Sequence, residues 1–442
     1  MPKPHPGRTG GLPVPSRRLG RSARLGGLAI GLAGRMARDG LAGLGRGERP
    51  DRRDLLLTPA NLHRITTELA RMRGAAMKVG QLVSMDAGAI LPPDLAEIMS
   101  RLRDGADFMP PKQLKSVLNA AWGPNWLHRF AQFDVRPIAA ASIGQVHKAG
   151  LRDGRTIAVK VQYPGIARSI DSDVANVGSL MRLSGLVPRG LDLAPLLAEA
   201  RAQLHAETDY AAEAAHMTHF ADLLADDPRF ALPRPLADLT TQTVLAMDFV
   251  TGAPIEALCE APQPIRDQVA EALFDLLLRE IFEFGLVQTD PNFANYRHDD
   301  KTGQIALLDF GATRSLAPWV APAYGALIRA GMAGRREEMV MAATRLGLLD
   351  DSLRPDHRAR VIAMMETAFG DLACHPVYDF SDQGLAHTLQ AEGMALAQEG
   401  LAPAPPPADV LFVQRKIGGL YLLAARLGAR VPLHTLLERH LP

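Results

Sequence analysis

The chain has 442 residues, 47% of them apolar and 22% charged, with a formal net charge of +1. That length can bury a full core in one bilobal unit or two domains, and the balanced charge gives no ground for a nucleic-acid partner. Its two cysteines, Cys259 and Cys374, lie far apart without metal-ligand spacing, which fits a reducing compartment better than a disulfide framework.

Residues 1–55 form a basic, glycine-rich segment carrying Arg17, Arg18, Arg21, Arg24, Arg35 and Arg38. Its longest apolar run, Leu25 to Gly34, is too short to span a bilayer. Three readings remain open for it: a flexible tail, a basic membrane-surface segment and a cleaved targeting peptide. No other run approaches a spanning length, so the protein should be soluble or peripheral. Residues 56–125 read as a helical extension. Thr58 suits an N-cap, Pro59 the first helical position, and Leu57 with Leu62 a hydrophobic staple. Apolar residues recur at Leu62, Ile65, Leu69, Met72, Ala76, Val79 and Val83, an amphipathic helix on which Lys78 and Gln81 share a face. Shorter helices are expected over Leu95 to Leu102 and Pro111 to Ala121.

Residues 126–250 have the order of a kinase N-lobe with a helical insert. Strands are expected from Ile138 to Ala149 and from Thr156 to Gln162, joined through a turn at Asp153-Gly154. In the second strand Ile157, Val159 and Val161 face one way, and Ala158, Lys160 and Gln162 the other. Lys160 thus stands where a kinase places the lysine that grips the α- and β-phosphates. The phosphate-covering loop departs from that pattern, because Ala139, Ala140, Ala141 and Ser142 replace the usual glycines and restrict the backbone. Helices are expected from about Asp171 to Leu183 and from about Ala194 to Leu224. In the second, Asp209 and Glu213 are four apart and share a face, whereas Glu207 is rotated away, so two acidic roles are available. The run from Val244 to Val250 reads as the last N-lobe strand entering the hinge, where backbone groups around Asp248 to Val250 would meet an adenine edge.

Residues 251–442 read as a helical C-lobe. A long apolar helix over about Ile265 to Gly285 leads to Gln288-Thr289-Asp290-Pro291-Asn292-Phe293-Ala294-Asn295, a short strand from Ile305 to Leu308, and Asp309-Phe310-Gly311. An Asp, an Asn five positions on and then Asp-Phe-Gly is the spacing with which kinase-like enzymes bind magnesium and orient phosphoryl transfer. Asp290 would orient or deprotonate the nucleophile, and Asn295 and Asp309 would hold Mg2+. The His-Arg that opens the protein-kinase loop is missing. Beyond a rigid break at Pro403 to Pro407, Val410 to Leu427 is expected as a helix with Gly418-Gly419 in its middle.

Taken together, Lys78-Val79-Gly80-Gln81, the Ala139 to Val146 loop, Ala158 to Gly165, Glu207-Thr208-Asp209-Tyr210 with Glu213, Gln288-Thr289-Asp290-Pro291 and Leu308 to Arg314 resemble the UbiB-like, AarF-domain atypical kinases. The resemblance covers roughly residues 60 to 430. It is strongest to the branch of coenzyme Q (ubiquinone) biosynthesis ATPases, since bacterial members often carry His-Ala-Asp-Pro-His, and commonly two C-terminal membrane spans, where this chain has Gln288 to Asn292 and no such tail. It implies an α+β, protein-kinase-like bilobal fold with the Lys-x-Gly-Gln helix packed over the active site. Lys78 and Gln81 would then point into the site, Glu207 and Asp209 would engage Lys78, and Glu213 would partner Lys160. It further implies ATP hydrolysis with Mg2+ in place of protein phosphorylation, stimulated by membrane lipid and prenyl-quinone precursors. A ubiquinone biosynthetic enzyme complex and a homodimer are the further partners it allows. The expected location is peripheral, at a bacterial inner membrane or on the matrix side of the mitochondrial one. Two rival readings are a phosphotransferase to a small molecule, lipid or protein, and a non-catalytic nucleotide-sensing scaffold.

Overall fold

A computed structural model describes residues 74–76, 78–79, 108–183, 193–350, 352–401 and 406–441. Gln81, the basic segment 1–55, the helix expected over Leu95 to Leu102 and residues 402–405 of the proline-rich break lie outside the described residues. The described residues fall into two units, one running up to Ala215 and including Arg234–Phe249, the other made of His216–Pro233 and everything from Val250 onward.

The first unit is built on an antiparallel sheet in the order Phe130–Phe133, Gly144–Leu151, Thr156–Gln162, Val244–Asp248, with Ala139–Ala140 also paired to Gly144–Leu151. Alternation along Thr156–Gln162 decides which face is which. Ile157, Val159 and Val161 join Leu114, Leu118, Trp122, Trp126 and Phe130 in one core cluster. The helix Pro111–Trp122 covers that face because Leu114, Leu118 and Trp122 recur every fourth residue, and a proline opens it where no N–H is needed. Burying a side chain such as Leu118 stabilises the fold by about 1.5–3 kcal/mol. Trp122 also donates its indole N–H to the Leu239 carbonyl (2.8 Å), so the polar tip of this ring is satisfied inside the core. The hairpin at Asp153-Gly154 forms as expected, closed by the Leu151 N–H on the Arg155 carbonyl (2.8 Å), with Gly154 at φ 91°.

One expected element divides. The helix anticipated from Ala194 to Leu224 is two helices, Leu193–Glu207 and Tyr210–Leu223. Thr208 turns its hydroxyl back onto the His205 carbonyl (2.7 Å), and Asp209 accepts the N–H groups of Ala211 and Ala212 (3.1 and 3.0 Å). Both side chains compete with the helical ladder and favour a break followed by a cap.

In the second unit, a four-stranded sheet runs Phe230–Ala231, Ile305–Leu307, Tyr296–His298, Ala253–Pro254, and a two-stranded ladder joins Leu286–Gln288 to Thr313–Ser315. A second two-stranded ladder pairs Tyr378–Asp379 with Arg430–Val431, and the unit also holds helices Gln263–Arg279, Val320–Met332, Arg336–Arg345, Pro355–Cys374, Gly384–Gln398, Ala408–Leu427 and Leu433–His440. The expected regular helix up to Gly285 is α-helical only to Arg279. It continues as a π-helical turn, Glu280–Phe284, and stops at left-handed Gly285 (φ 59°). Such turns commonly mark functional sites.

Candidate active site

Lys160 lies mid-strand on the face opposite the core, opposite Val146 on one neighbour and Leu245 on the other. Its ammonium donates to both carboxylate oxygens of Glu213 at 2.8 and 3.0 Å, and it lies 5.1 Å from the centre of the Tyr210 ring. Glu213 comes from the first turn of Tyr210–Leu223, so the cap at Asp209 fixes where this carboxylate points.

Glu207 ends the preceding helix and does two things. One oxygen meets the Lys78 ammonium at 2.7 Å, and the other accepts a short hydrogen bond from the Ser142 hydroxyl. Asp209, expected beside Lys78, instead caps the next helix. Gly74 stands one turn before Lys78, and a Cβ there would lie 2.5 Å from the Ser142 carbonyl oxygen. Only glycine lets this helical segment approach the alanine-rich loop so closely, a role not apparent from its spacing alone. The loop itself is a tight hairpin. Ala139 and Ala140 pair with Val146 and Gln145, and the Ala141 N–H closes on the Gly144 carbonyl (2.9 Å). Ala139 and Ala140 are exposed, whereas the Ser142 hydroxyl is engaged by Glu207. At the end of the sheet, the N–H groups of Asp248 and Phe249 donate to the carbonyls of Arg234 and Thr156 (3.0 and 3.2 Å), and Val250 follows in the other unit.

In that second unit the metal-binding candidates sit at neighbouring strand ends. Asn295 immediately precedes Tyr296–His298 and Asp309 follows Ile305–Leu307, strands that pair with Tyr296 opposite Leu307. The Leu308 N–H on the Asn295 carbonyl (3.0 Å) ties the two ends together. Asn295 donates its amide N–H to the Asp290 carbonyl (3.3 Å), so its Oδ1 points away from that bond. The Asp290 carboxylate accepts from the Asn292 N–H (3.2 Å), and the Asp309 carboxylate from the Gly311 N–H (3.0 Å). Phe310 is buried and packs on Phe220 with ring centres 5.1 Å apart.

Gln288 and Thr289 stand where His-Arg is missing, and both hold the Asp309 segment. Gln288 donates to the Asp309 carbonyl (3.2 Å), and Thr289 places both its hydroxyl and its N–H on the Ala312 carbonyl (2.7 and 3.0 Å). The donor set fits magnesium: one carboxylate and one carboxamide are hard oxygen ligands, and Mg2+ usually completes its shell with substrate phosphates and water. Among the described residues no cluster of three or more His, Cys, Asp or Glu could hold a metal ion.

The domain model described as ABC1 atypical kinase-like matches residues 101–342. The chain belongs to this family. Among ABC1 relatives, atypical kinase COQ8 of Saccharomyces cerevisiae, named as mitochondrial, is 37% identical over 422 residues, covering 95% of this chain and 83% of its own. Rattus norvegicus atypical kinase COQ8B, likewise mitochondrial, is 36% identical over 430 residues, with 96% and 80% covered. A solved structure, Rv3197 with erythromycin from Mycobacterium tuberculosis, matches at a TM-score of 0.61 and 26% identity over 86% of this chain and 95% of that one. The α+β, kinase-like fold expected from the sequence is therefore the fold of this ABC1 chain, and the protein is a kinase-like, ATP-using enzyme.

Two neighbours of the Asp290 loop, one of them beyond the matched ABC1 domain, escape the sequence reading. Lys416 and Glu280 are both buried, 3.6 Å apart, and Lys416 donates to the Gln288 side-chain oxygen (3.0 Å). Burial pushes the Glu280 carboxyl up to about 7 despite the ammonium beside it. Burial likewise raises the Tyr296 phenol and lowers His216, whose helix also carries Phe220. In the sequence Lys416 is only a charge interrupting an apolar stretch.

Proposed function

We propose that the protein is a magnesium-dependent ATPase that supports ubiquinone (coenzyme Q) biosynthesis, acting at a membrane surface on or near prenyl-quinone precursors. The observation that carries the choice of hydrolysis over protein phosphorylation is Glu207, whose carboxylate holds both the Lys78 ammonium and the Ser142 hydroxyl. A loop tied down in this way is held more firmly than a free glycine-rich loop, and the family resemblance implies that the Lys78 helix lies over the side a bulky protein substrate would need.

Each residue then has a task. Lys160, oriented by Glu213, holds the α- and β-phosphates, with the Ala139 to Ser142 loop above them. With the Asp248 N–H committed to its own sheet, donation to the adenine edge falls to Val250. Asp290 orients or deprotonates the attacking water, and Gln81 joins Lys78 in shielding the site. Asn295 and Asp309 would hold Mg2+, which supplies charge neutralisation at the phosphates when bound; positioning and electrostatics account for most of catalysis in this chemistry. The partners in this reading are ATP, membrane lipid, prenyl-quinone precursors and enzymes of the same pathway. Attachment is peripheral, at a bacterial inner membrane or the matrix side of a mitochondrial one. It accords with the mitochondrial names of the relatives and with the lack, among the described residues, of any helix long and apolar enough to cross a membrane.

The test is ATP turnover by the purified protein with and without anionic liposomes, beside Asp309→Asn. Turnover that rises with liposomes and vanishes in the variant is expected. Equal, near-zero turnover in every condition refutes the ATPase reading, and a stoichiometric phosphorylated acceptor would replace it with phosphotransfer. Quinone profiling of a deletion strain tests the pathway separately.

A further inference from the structure

The helix Ala408–Leu427 touches the Asp290 loop on both sides of the aspartate. Before it, Lys416 donates to Gln288 Oε1 at 3.0 Å, and Gln288 Nε2 donates in turn to the Asp309 carbonyl at 3.2 Å. After it, a Cβ on Gly419 would lie 2.1 Å from Cβ and 2.6 Å from Cγ of Pro291, so the helix backbone rests directly on that ring. Lys416 and Gly419 are three apart and share a face. Lys416 is 2% exposed, and its ammonium also lies 5.8 Å from the centre of the Tyr296 ring, beside Asn295.

We propose that Lys416 is a positioning residue for the metal-binding Asp309, acting through the Gln288 side chain. This rests on the reading that Asn295 and Asp309 hold the cation. Stability alone does not account for a buried ammonium, because an apolar residue of similar volume packs as well without the desolvation penalty. What the ammonium adds is direction. Lysine only donates, so it draws Oε1 of Gln288 toward itself and leaves Nε2 facing the Asp309 carbonyl. With an apolar neighbour the amide is free to turn over, and Oε1 would then oppose that carbonyl oxygen. The Asp309 backbone would lose a donor and gain a repulsion, and its carboxylate would no longer be held at one angle to Asn295.

The experiment uses the full chain, with Mn2+ as an EPR-visible probe in the presence of a non-hydrolysable ATP analogue. Variants are Lys416→Met, Gln288→Leu, their combination, and Asp309→Asn. Residues that orient a metal ligand typically change metal affinity 10–100-fold, so Lys416→Met should weaken Mn2+ binding by about 10-fold or more. Nucleotide affinity without metal should stay near that of the unchanged protein, while the thermal midpoint should fall in Lys416→Met, which leaves Glu280 buried without its ion-pair partner, and recover when Glu280→Leu is added. Gln288→Leu should weaken Mn2+ similarly, and the pair should add nothing further, since both break one chain of contacts. Should Lys416→Met fail to fold, Lys416→Met with Glu280→Leu removes the whole ion pair and is held to the same Mn2+ criterion. Folded variants that bind Mn2+ as the unchanged protein does, while Asp309→Asn does not, overturn the positioning role alone. Unchanged Mn2+ binding in Asp309→Asn overturns the metal-site reading beneath it.

Discussion

Replacing Lys160 by Met separates what the Lys160–Glu213 pair does for the fold from what Lys160 does for the nucleotide. The two side chains are 9% and 2% exposed, with Nζ 2.8 Å from the nearer oxygen. At an effective dielectric of about 20, charges at that distance attract by about 6 kcal/mol, most of it offset by desolvation. Removing one partner leaves the other charge buried, so Lys160→Met should lower the stability of its unit by about 3–5 kcal/mol. Lys160→Met with Glu213→Leu removes both charges, and should regain most of that loss because apolar replacement of a buried pair is often neutral or better. Urea unfolding read by tryptophan fluorescence in a Trp319→Phe background reports this unit alone, since Trp122 and Trp126 lie in its core. ATP hydrolysis should be absent in both variants. A double variant as unstable as the single one refutes the account of the pair, and a double variant that hydrolyses ATP refutes the phosphate-gripping role of Lys160.

Three further outcomes follow from the same contacts. Gly144→Ala would bring a Cβ within 2.4 Å of the Val161 carbonyl oxygen and 3.0 Å of the Tyr210 hydroxyl, so the adjoining strands must part. A loss of about 1–3 kcal/mol in urea unfolding is expected, and an unchanged midpoint would contradict it. Glu207→Gln keeps the side chain's size but removes the negative charge beside Lys78 and Ser142. Opening of the Ala139 to Val146 hairpin should then become easier by about 1 kcal/mol, because the Ser142 hydroxyl exchanges a charged acceptor for a neutral one, seen as faster hydrogen exchange over that peptide. Glu280 sets a pH dependence. Its carboxyl holds a proton up to about 7 in the folded state against an ordinary value of 4.5, so unfolding releases that proton between these pH values. Stability of the second unit should therefore fall as pH rises through this window, by about 3 kcal/mol in total, and Glu280→Gln should flatten that slope in urea titrations at pH 5 and pH 8.

How much was legible depends on how far each feature reaches along the chain. Strand alternation alone put Lys160 on the face away from Ile157, Val159 and Val161, because side chains on a strand must alternate. The spacing of Asp290, Asn295 and Asp309 was likewise local, since two short paired strands set it. The break at Thr208-Asp209 was missed because a helical period detects apolar faces and not the side-chain bonds that end a helix. Two adjacent capping residues were the available signal. The π-helical turn at Glu280 and the placement of Lys416 could not be read in this way. Lys416 meets Gln288 across 128 residues of chain, and nothing near either residue announces the contact. A charge set inside an apolar helix beside Gly418-Gly419 was the one clue that this face packs tightly on something polar.

The missed break also explains how one short stretch serves two lysines. On an unbroken helix Glu207 and Glu213, six residues apart, would project about 120° from each other around one axis. Their separation would then be fixed by the helix itself. Ending one helix at Glu207 and starting another at Tyr210 frees the two carboxylates to be set independently. Glu207 is aimed by Leu193–Glu207 at Lys78 and Ser142, and Glu213 by the Asp209 cap at Lys160. The Asp209 carboxylate therefore acts on the Lys160 pair through the helix start it fixes, not by meeting a lysine itself. On this account Asp209→Asn, which can still accept both N–H groups, should preserve the arrangement, whereas Asp209→Ala should loosen Glu213 without touching the Lys78–Glu207 pair.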